Sequence, residues 1–296
     1  MNSNRLAALS LGGLLYCRAE NAERLLKSEK EALTALALYL GDELSESETK
    51  EEEQAVRRVL QQLRENAPAR CPMLFIRVRD AKQLTRVHKL LGSEEELLMG
   101  YVMPRFSPDS AEEYLDALEK INSKRKHPLY AMPVLETEDI ANLLTRKKAL
   151  EKIRKRLGAN KDSVLCVYAG ARAFCALYGL DPAQTGAYPE AVRNILTDII
   201  SVFSPDFTVA GGEWDSGDGM REILAWEREN GLCGGTVACE DLLELYFDSM
   251  KATQKEADAA KAESRGTEDG GRIPLPGKAR WAEDILTRAS VFGIRE

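Results

Sequence analysis

The sequence predicts one closed (β/α)8 barrel, the TIM-barrel class, with a helical C-terminal extension. Eight short apolar or β-branched runs alternate with longer charged, amphipathic stretches, and 296 residues leave room for one barrel of about 250 residues plus a tail. Alternating strand and helix signals imply a parallel sheet, and eight repeats imply closure rather than an open doubly wound sheet. No GxGxxG follows the first run and no GxxxxGKS/T occurs, so dinucleotide-binding and P-loop readings lack support.

The runs are Gly12–Tyr16, Ala35–Leu40, Met73–Val78, Gly100–Met103, Leu129–Val134, Val164–Tyr168, Phe207–Ala210 and Gly235–Ala238. The opening stretch MNSNRLAALSLGGLLY reads as the first strand, because it lacks the small-residue cleavage pattern of a signal peptide. Between the runs, Thr49–Glu65, Ser110–Asn122, Asp139–Leu157, Pro189–Phe203 and Gly219–Asn230 carry apolar residues at three- and four-residue spacing and read as helices. Residues 1–250 form the expected barrel domain and residues 251–296 the extension. In the extension, Lys251–Arg265 is a charged, Ala-rich helix, Gly266–Gly277 a Gly/Pro-rich loop and Ala279–Phe292 a final helix. It serves either as packing on the barrel or as a lid or subunit contact.

Composition narrows the function classes. The net charge of −7, from 41 basic and 48 acidic residues, gives no general pull toward nucleic acid or an anionic membrane. The basic stretches Lys120–Lys126 and Arg146–Arg156 read as solvated helix ends. No run of 18 or more apolar residues predicts a membrane span. The six cysteines form no CxxC pair and the only histidines are His88 and His127, so zinc-site spacing is absent. Cys166 and Cys175 lie in apolar surroundings and read as buried free thiols, which points to a cytoplasmic protein.

In a barrel, chemistry belongs at the C-terminal ends of the strands. Polar residues stand at the end of six runs here: Asp42-Glu43 after the second, Arg77-Val78-Arg79-Asp80 at the third, Pro104-Arg105 after the fourth. Glu136-Thr137-Glu138-Asp139 comes after the fifth, Gly170-Ala171-Arg172 after the sixth, and Gly211-Gly212-Glu213-Trp214-Asp215, then Asp218, after the seventh. Carboxylate oxygens suit a hard cation such as magnesium, and arginines suit a planar carboxylate gripped through two hydrogen bonds. Singly, Glu138 and Asp139 also suit a helix first turn and Asp42 a turn or cap; it is their gathering at one rim that points to a site.

The collinear order of these segments, over roughly residues 10–250, resembles the HpcH/HpaI aldolase and citrate lyase beta-subunit family. Ala37-Leu38-Tyr39-Leu40-Gly41-Asp42-Glu43-Leu44 is similar to its "VLDLEDAV" strand, Ile76-Arg77-Val78-Arg79 to "VRVN", and Met103-Pro104-Arg105 to "LPK". Leu135-Glu136-Thr137 is similar to "IET", Gly170-Ala171-Arg172-Ala173-Phe174 to "GxEDL", Asp215 and Asp218 lie near its "DfxD" stretch, and Ala238–Leu243 stands where it has "IHPSQI".

The resemblance implies magnesium held by a Glu after strand five and an Asp after strand six, an oxo-acid or acyl thioester (a CoA thioester among them) as substrate, and enolate stabilisation during carbon–carbon cleavage or condensation. It implies a trimer or hexamer of identical chains. Glu136 matches the metal-binding Glu, Arg77 the arginine that contacts the bound acid, and Asp42 the second-strand acid, with a role in ordering water or the metal shell. Tyr39 stands in place of the second-strand Asp, Gly41 of its Glu, Ala173 of the strand-six Asp and Cys239 of the strand-eight His.

Two readings of function remain. In one, the chain is a carbon–carbon lyase with an altered, magnesium-assisted site, in which Asp215, Glu138 or another rim acid supplies the missing ligand. In the other, it is a non-catalytic or metal-free barrel that binds an anionic metabolite through Arg77, Arg105 and Arg172, within a multi-protein biosynthetic or stress-resistance pathway.

Overall fold

The computed structural model describes residues 3–28, 30–41, 44–66, 68–181, 186–268 and 278–295. Helix α1 (Ser3–Leu9) leads into β1 (Gly13–Cys17). There follow α2 (Ala19–Lys27), β2 (Ala35–Tyr39), α3 (Glu46–Glu65), β3 (Met73–Arg77), α4 (Ala81–Leu91), β4 (Gly100–Met103), α5 (Ser110–Asn122) and β5 (Tyr130–Leu135). Next come α6 (Glu138–Ala141), α7 (Leu143–Ala159), β6 (Val167–Ala169), α8 (Ala171–Leu177), α9 (Glu190–Phe203), β7 (Val209–Ala210), β8 (Glu213–Trp214), α10 (Met220–Glu229), β9 (Gly235–Val237) and α11 (Leu242–Met250). The chain ends with β10 (Ala252–Thr253), α12 (Gln254–Glu268), α13 (Lys278–Phe292) and β11 (Ile294–Arg295).

The main sheet runs β7-β6-β5-β4-β3-β2-β1-β9-β8, with neighbouring strands parallel throughout. Its two outermost strands are halves of one segment interrupted at Gly211-Gly212. The Gly211 N–H donates to Gly234 O and the Thr236 N–H to Gly212 O, each at 2.9 Å, so the interruption is bridged and the barrel closes with eight strands. Glycine is required at the break. A Cβ on Gly211 would lie 2.4 Å from Glu227 Oε2, and one on Gly212 would lie 2.2 Å from the Tyr188 hydroxyl.

All eight predicted runs contain a strand, and the reason is visible in the packing. Strand residues alternate between two buried surfaces, so both parities are apolar. Leu14, Ala35, Ala37, Phe75, Val102 and Met132 fill the barrel interior, while Leu36, Leu38, Leu74 and Ile76 pack outward under the helices. Helix starts follow local chemistry. Ser45 and Glu48 form a capping box at α3, and Asp80 caps α4 by accepting from the Gln83 N–H at 2.7 Å.

Three expectations change. The N-terminal stretch is not all strand: Ser3–Leu9 is helical, and the Asn4 side chain ties it across the barrel end to the carbonyls of Asp162 and Val164. The expected helix Asp139–Leu157 breaks at Asn142, whose side chain caps α7 through the Leu144 N–H at 3.0 Å. Arg146 is not a solvated helix residue. It is buried, donates to the carbonyls of Ile140 and Ala141 and pairs with Asp198 at 2.8 Å, so it fastens that break.

The last elements pack where the strands begin. Phe292 of α13 is buried edge-on against Phe247, centroids 5.4 Å apart, and faces Gly12, just ahead of β1. Ala252, Ala260, Ala282 and Ile285 form a small separate core that joins α12 and α13. Residues 269–277 of the expected Gly/Pro loop lie outside the described residues. No helix among the described residues is long and apolar enough to cross a membrane.

Candidate active site

Arg77 ends β3 in register with Tyr39 at the end of β2. Its guanidinium carbon lies 4.9 Å from the Tyr39 ring centroid and 5.6 Å from that of Tyr16, which ends β1's inward-facing row. The two rings are themselves 5.9 Å apart. Such cation–π contacts are worth about 0.5–2 kcal/mol each, more as water is removed. The resemblance places a carboxylate at Tyr39; this chain holds the arginine there with an aromatic face instead. Burial pushes the Tyr16 hydroxyl well above its ordinary range, with Arg77 opposing, so Tyr16 stays a neutral donor.

Glu136 follows β5. Its Oε1 accepts the Arg105 N–H at 2.8 Å. Arg105 has φ +48°, the only positive φ outside glycine among the described residues, a conformation that costs of order 1 kcal/mol. The turn is held on its other side: the Arg105 guanidinium donates to Arg79 O at 3.2 Å, and the Ser110 hydroxyl donates to Arg105 O at 3.1 Å. Gly170 makes room from the next strand, since a Cβ there would lie 2.6 Å from that of Glu136.

Glu213, on β8, belongs to the rim segment after the seventh run, although the sequence singles out Asp215 there instead. It shares with Tyr16, Arg77, Glu136, Tyr168 and Thr236 a space of about 10 Å³, close to one water. Burial is the main influence raising its pKa; Arg77 opposes this and the nearby Glu136 adds to it. Behind it lies Glu227, fully buried. Its carboxylate accepts from the Gly212 N–H at 2.8 Å and from the Tyr188 hydroxyl at 2.7 Å, and burial pushes its pKa up to about 7.

The other predicted residues divide. Arg77, Arg105, Glu136 and Arg172 gather at the same end of the barrel. Asp215, expected as a metal ligand, is held by Arg172 through two hydrogen bonds in a half-exposed pair. Asp218 is exposed, its N–H bonded to the Ser216 hydroxyl. Asp42 lies outside the described residues. Among the described residues, no three His, Cys, Asp or Glu side chains cluster as a ready-made metal cage.

Comparison with known proteins now bears on this rim. A family described as C-C bond lyase of the TIM-barrel fold matches residues 5–294. The chain belongs to that family. A search of curated proteins finds no match to it. Among solved structures, the Mycobacterium tuberculosis protein CitE in complex with magnesium, acetoacetate and coenzyme A superposes with a TM-score of 0.65 at 16% identity, covering 94% of this chain and 98% of that one. A citrate lyase from Burkholderia xenovorans LB400 gives 0.67 at 14% identity, covering 96% and 93%. The citrate lyase beta subunit from M. tuberculosis complexed with oxaloacetate and magnesium gives 0.56 at 15% identity, covering 81% and 98%. At such identities the likeness is one of fold, the TIM barrel that the family match also describes.

Proposed function

We propose that the chain is a carbon–carbon lyase acting on a small oxo-acid or its acyl thioester at the C-terminal rim. The observation that carries this reading is the meeting of Glu136, Glu213 and Arg77 around one small space. Two carboxylates are enough for magnesium, which usually takes one or two from protein and completes its shell with water and substrate. Glu136 and Glu213 would hold the ion, and it would supply Lewis-acid stabilisation of an enolate oxygen. Asp215, bound to Arg172, is the weaker ligand candidate. The enclosed space has room for about one water, so the acid sits outward of it, toward exposed Arg105. Arg77, fixed by Tyr16 and Tyr39, holds the substrate carboxylate or enolate oxygen; Arg105 and Arg172 draw the anion in. Tyr16 remains a neutral hydroxyl donor in that pocket, and Asp42 orders water. The matched structures with magnesium, acetoacetate, pyruvate, oxaloacetate and coenzyme A support the substrate class.

Arg172 beside Ala173, where the resemblance expects an Asp, favours a second reading: a metal-free site that grips an anionic metabolite by arginine alone. Calorimetric titration of magnesium and oxaloacetate, each with and without the other, separates the two. Mutual tightening by one factor supports the lyase reading, because coupling is reciprocal; oxaloacetate binding indifferent to magnesium supports the second. A trimer or hexamer in the cytoplasm completes the proposal. The six free thiols are in keeping with that compartment, and light scattering reports the assembly.

A further inference from the structure

At the opposite end of the barrel, where the strands begin, lies a cavity of about 750 Å³. Its walls come from α1, the ends of α9 and α10, the entry to β9, and α13. Five arginines line it (Arg5, Arg228, Arg280, Arg288, Arg295) against three acids, Glu229, Glu256 and Asp284. That excess of positive charge is local, in a chain whose net charge is −7.

Internal pairing leaves part of this charge unused. Arg5 pairs with Asp284 and Arg228 with Glu256. Arg288 is 6% exposed; its Nε donates to Met250 O at 2.9 Å, and its Nη2 is buried with no hydrogen-bond partner among the described residues. Arg5 Nε is in the same condition. Burial first, and the neighbouring Arg228 next, pull the Arg288 pKa down to about 10. Arg280 is likewise lowered, by burial and then by Arg5. A buried guanidinium among like charges, with an idle donor, is costly unless an anion completes it. If the cluster served only to dock the extension, the two ion pairs and the Met250 contact would suffice, and Arg288 Nη2 would have no task.

We propose that this cavity is a second ligand site, taking a small organic oxyanion, a phosphate or a carboxylate, on Arg288, with Arg280 and Arg295 closing over it from the mouth. Guanidinium forks match either group with paired hydrogen bonds. The volume falls within the roughly 300–1,000 Å³ usual for small-molecule sites. Leu9, Ile200, Ile285 and half-exposed Trp281 supply an apolar wall for the organic part. The site shares no residue with the rim around Glu136, so its ligand binds independently of the lyase substrate.

The test is calorimetric titration of the full chain with pyrophosphate and with citrate. At least one should bind, and the tighter of the two names the oxyanion. The double variant Arg280→Ala/Arg295→Ala alters two exposed residues, at the cost of one hydrogen bond from Arg280 to Ser204 O, and should weaken that probe about tenfold or more. Arg288→Met should abolish its binding, whereas Arg77→Ala, at the other end, should leave it within about twofold. Should Arg288→Met fail to fold, the double variant decides alone. The proposal is overturned if neither probe binds at millimolar concentration, if binding survives the double variant, or if Arg77→Ala removes it.

Discussion

The backbone N–H of Arg105 donates to the carboxylate of Glu136 at 2.8 Å, from a residue held at φ +48°. A strained turn after one strand thus positions the acid after the next. The bond uses only one of the carboxylate's four lone-pair positions. Glu136→Gln keeps an oxygen for the Arg105 N–H and removes the charge. Stability should change by about 1 kcal/mol or less, since a neutral acceptor replaces a charged one in the same place. Magnesium-dependent tightening of oxaloacetate should disappear. Retained coupling in the calorimeter would remove Glu136 from the metal site.

Much of this arrangement is legible in the sequence, for physical reasons. Strands buried on both faces are apolar along nearly their whole length, so the runs mark themselves, and the first polar residue at or after the end of each marks the rim. Arg77 and Glu136 are found that way. Glu213 is hidden. Ala210 and Glu213 both face inward although they stand three positions apart, because the Gly211-Gly212 break shifts the alternation by one. A period-two reading from Phe207 therefore ends the strand too early. The contact of Arg77 with Tyr39 follows from strand register, which no local pattern in either segment states. The destination of Phe292 is equally invisible, because helical periodicity shows that a face is apolar but not what it meets.

The Arg172–Asp215 pair sets the charge of the outer rim. Both side chains are roughly half exposed, so the pair is screened, and its loss should cost only about 0.2–1 kcal/mol. Asp215→Asn releases the Arg172 guanidinium for an incoming anion. Oxaloacetate should bind more tightly to this variant at low salt, and the advantage should fade as ionic strength rises. Weaker binding would assign Asp215 to the site as a ligand rather than as a counter-charge.

Phe292 links the extension to the barrel. It is 3% exposed and packs on Phe247 and over Gly12. Phe292→Ala should cost about 3–5 kcal/mol in urea unfolding, the usual range for a buried Phe that leaves a cavity. Truncation after Met250 should destabilise the barrel as well as change its assembly. A truncated barrel of unchanged stability would mean that the Phe247 face closes over by itself.

Glu227 predicts a pH dependence of definite sign. Its folded pKa is about 7 against an ordinary 4.5, with burial the largest cause and the Tyr188 and Gly212 hydrogen bonds opposing. Below pH 4.5 the group is protonated in both states and contributes nothing. Between 4.5 and 7 the unfolded chain releases this proton while the folded chain keeps it, so stability falls as pH rises. Above 7 both forms are ionised and the loss levels off at roughly 3 kcal/mol. Glu227→Gln can still accept from Gly212 N–H, and its amide can donate to the Tyr188 oxygen, so the strand break keeps its support without a buried charge. Urea unfolding should find variant and wild type similar at pH 5 and the variant more stable by up to about 3 kcal/mol at pH 8. An equal difference at both pH values would show that Glu227 does not change its charge in this range. A variant less stable at pH 8 would show that the ionised carboxylate, with its two donors, strengthens the Gly211-Gly212 break by more than its burial costs.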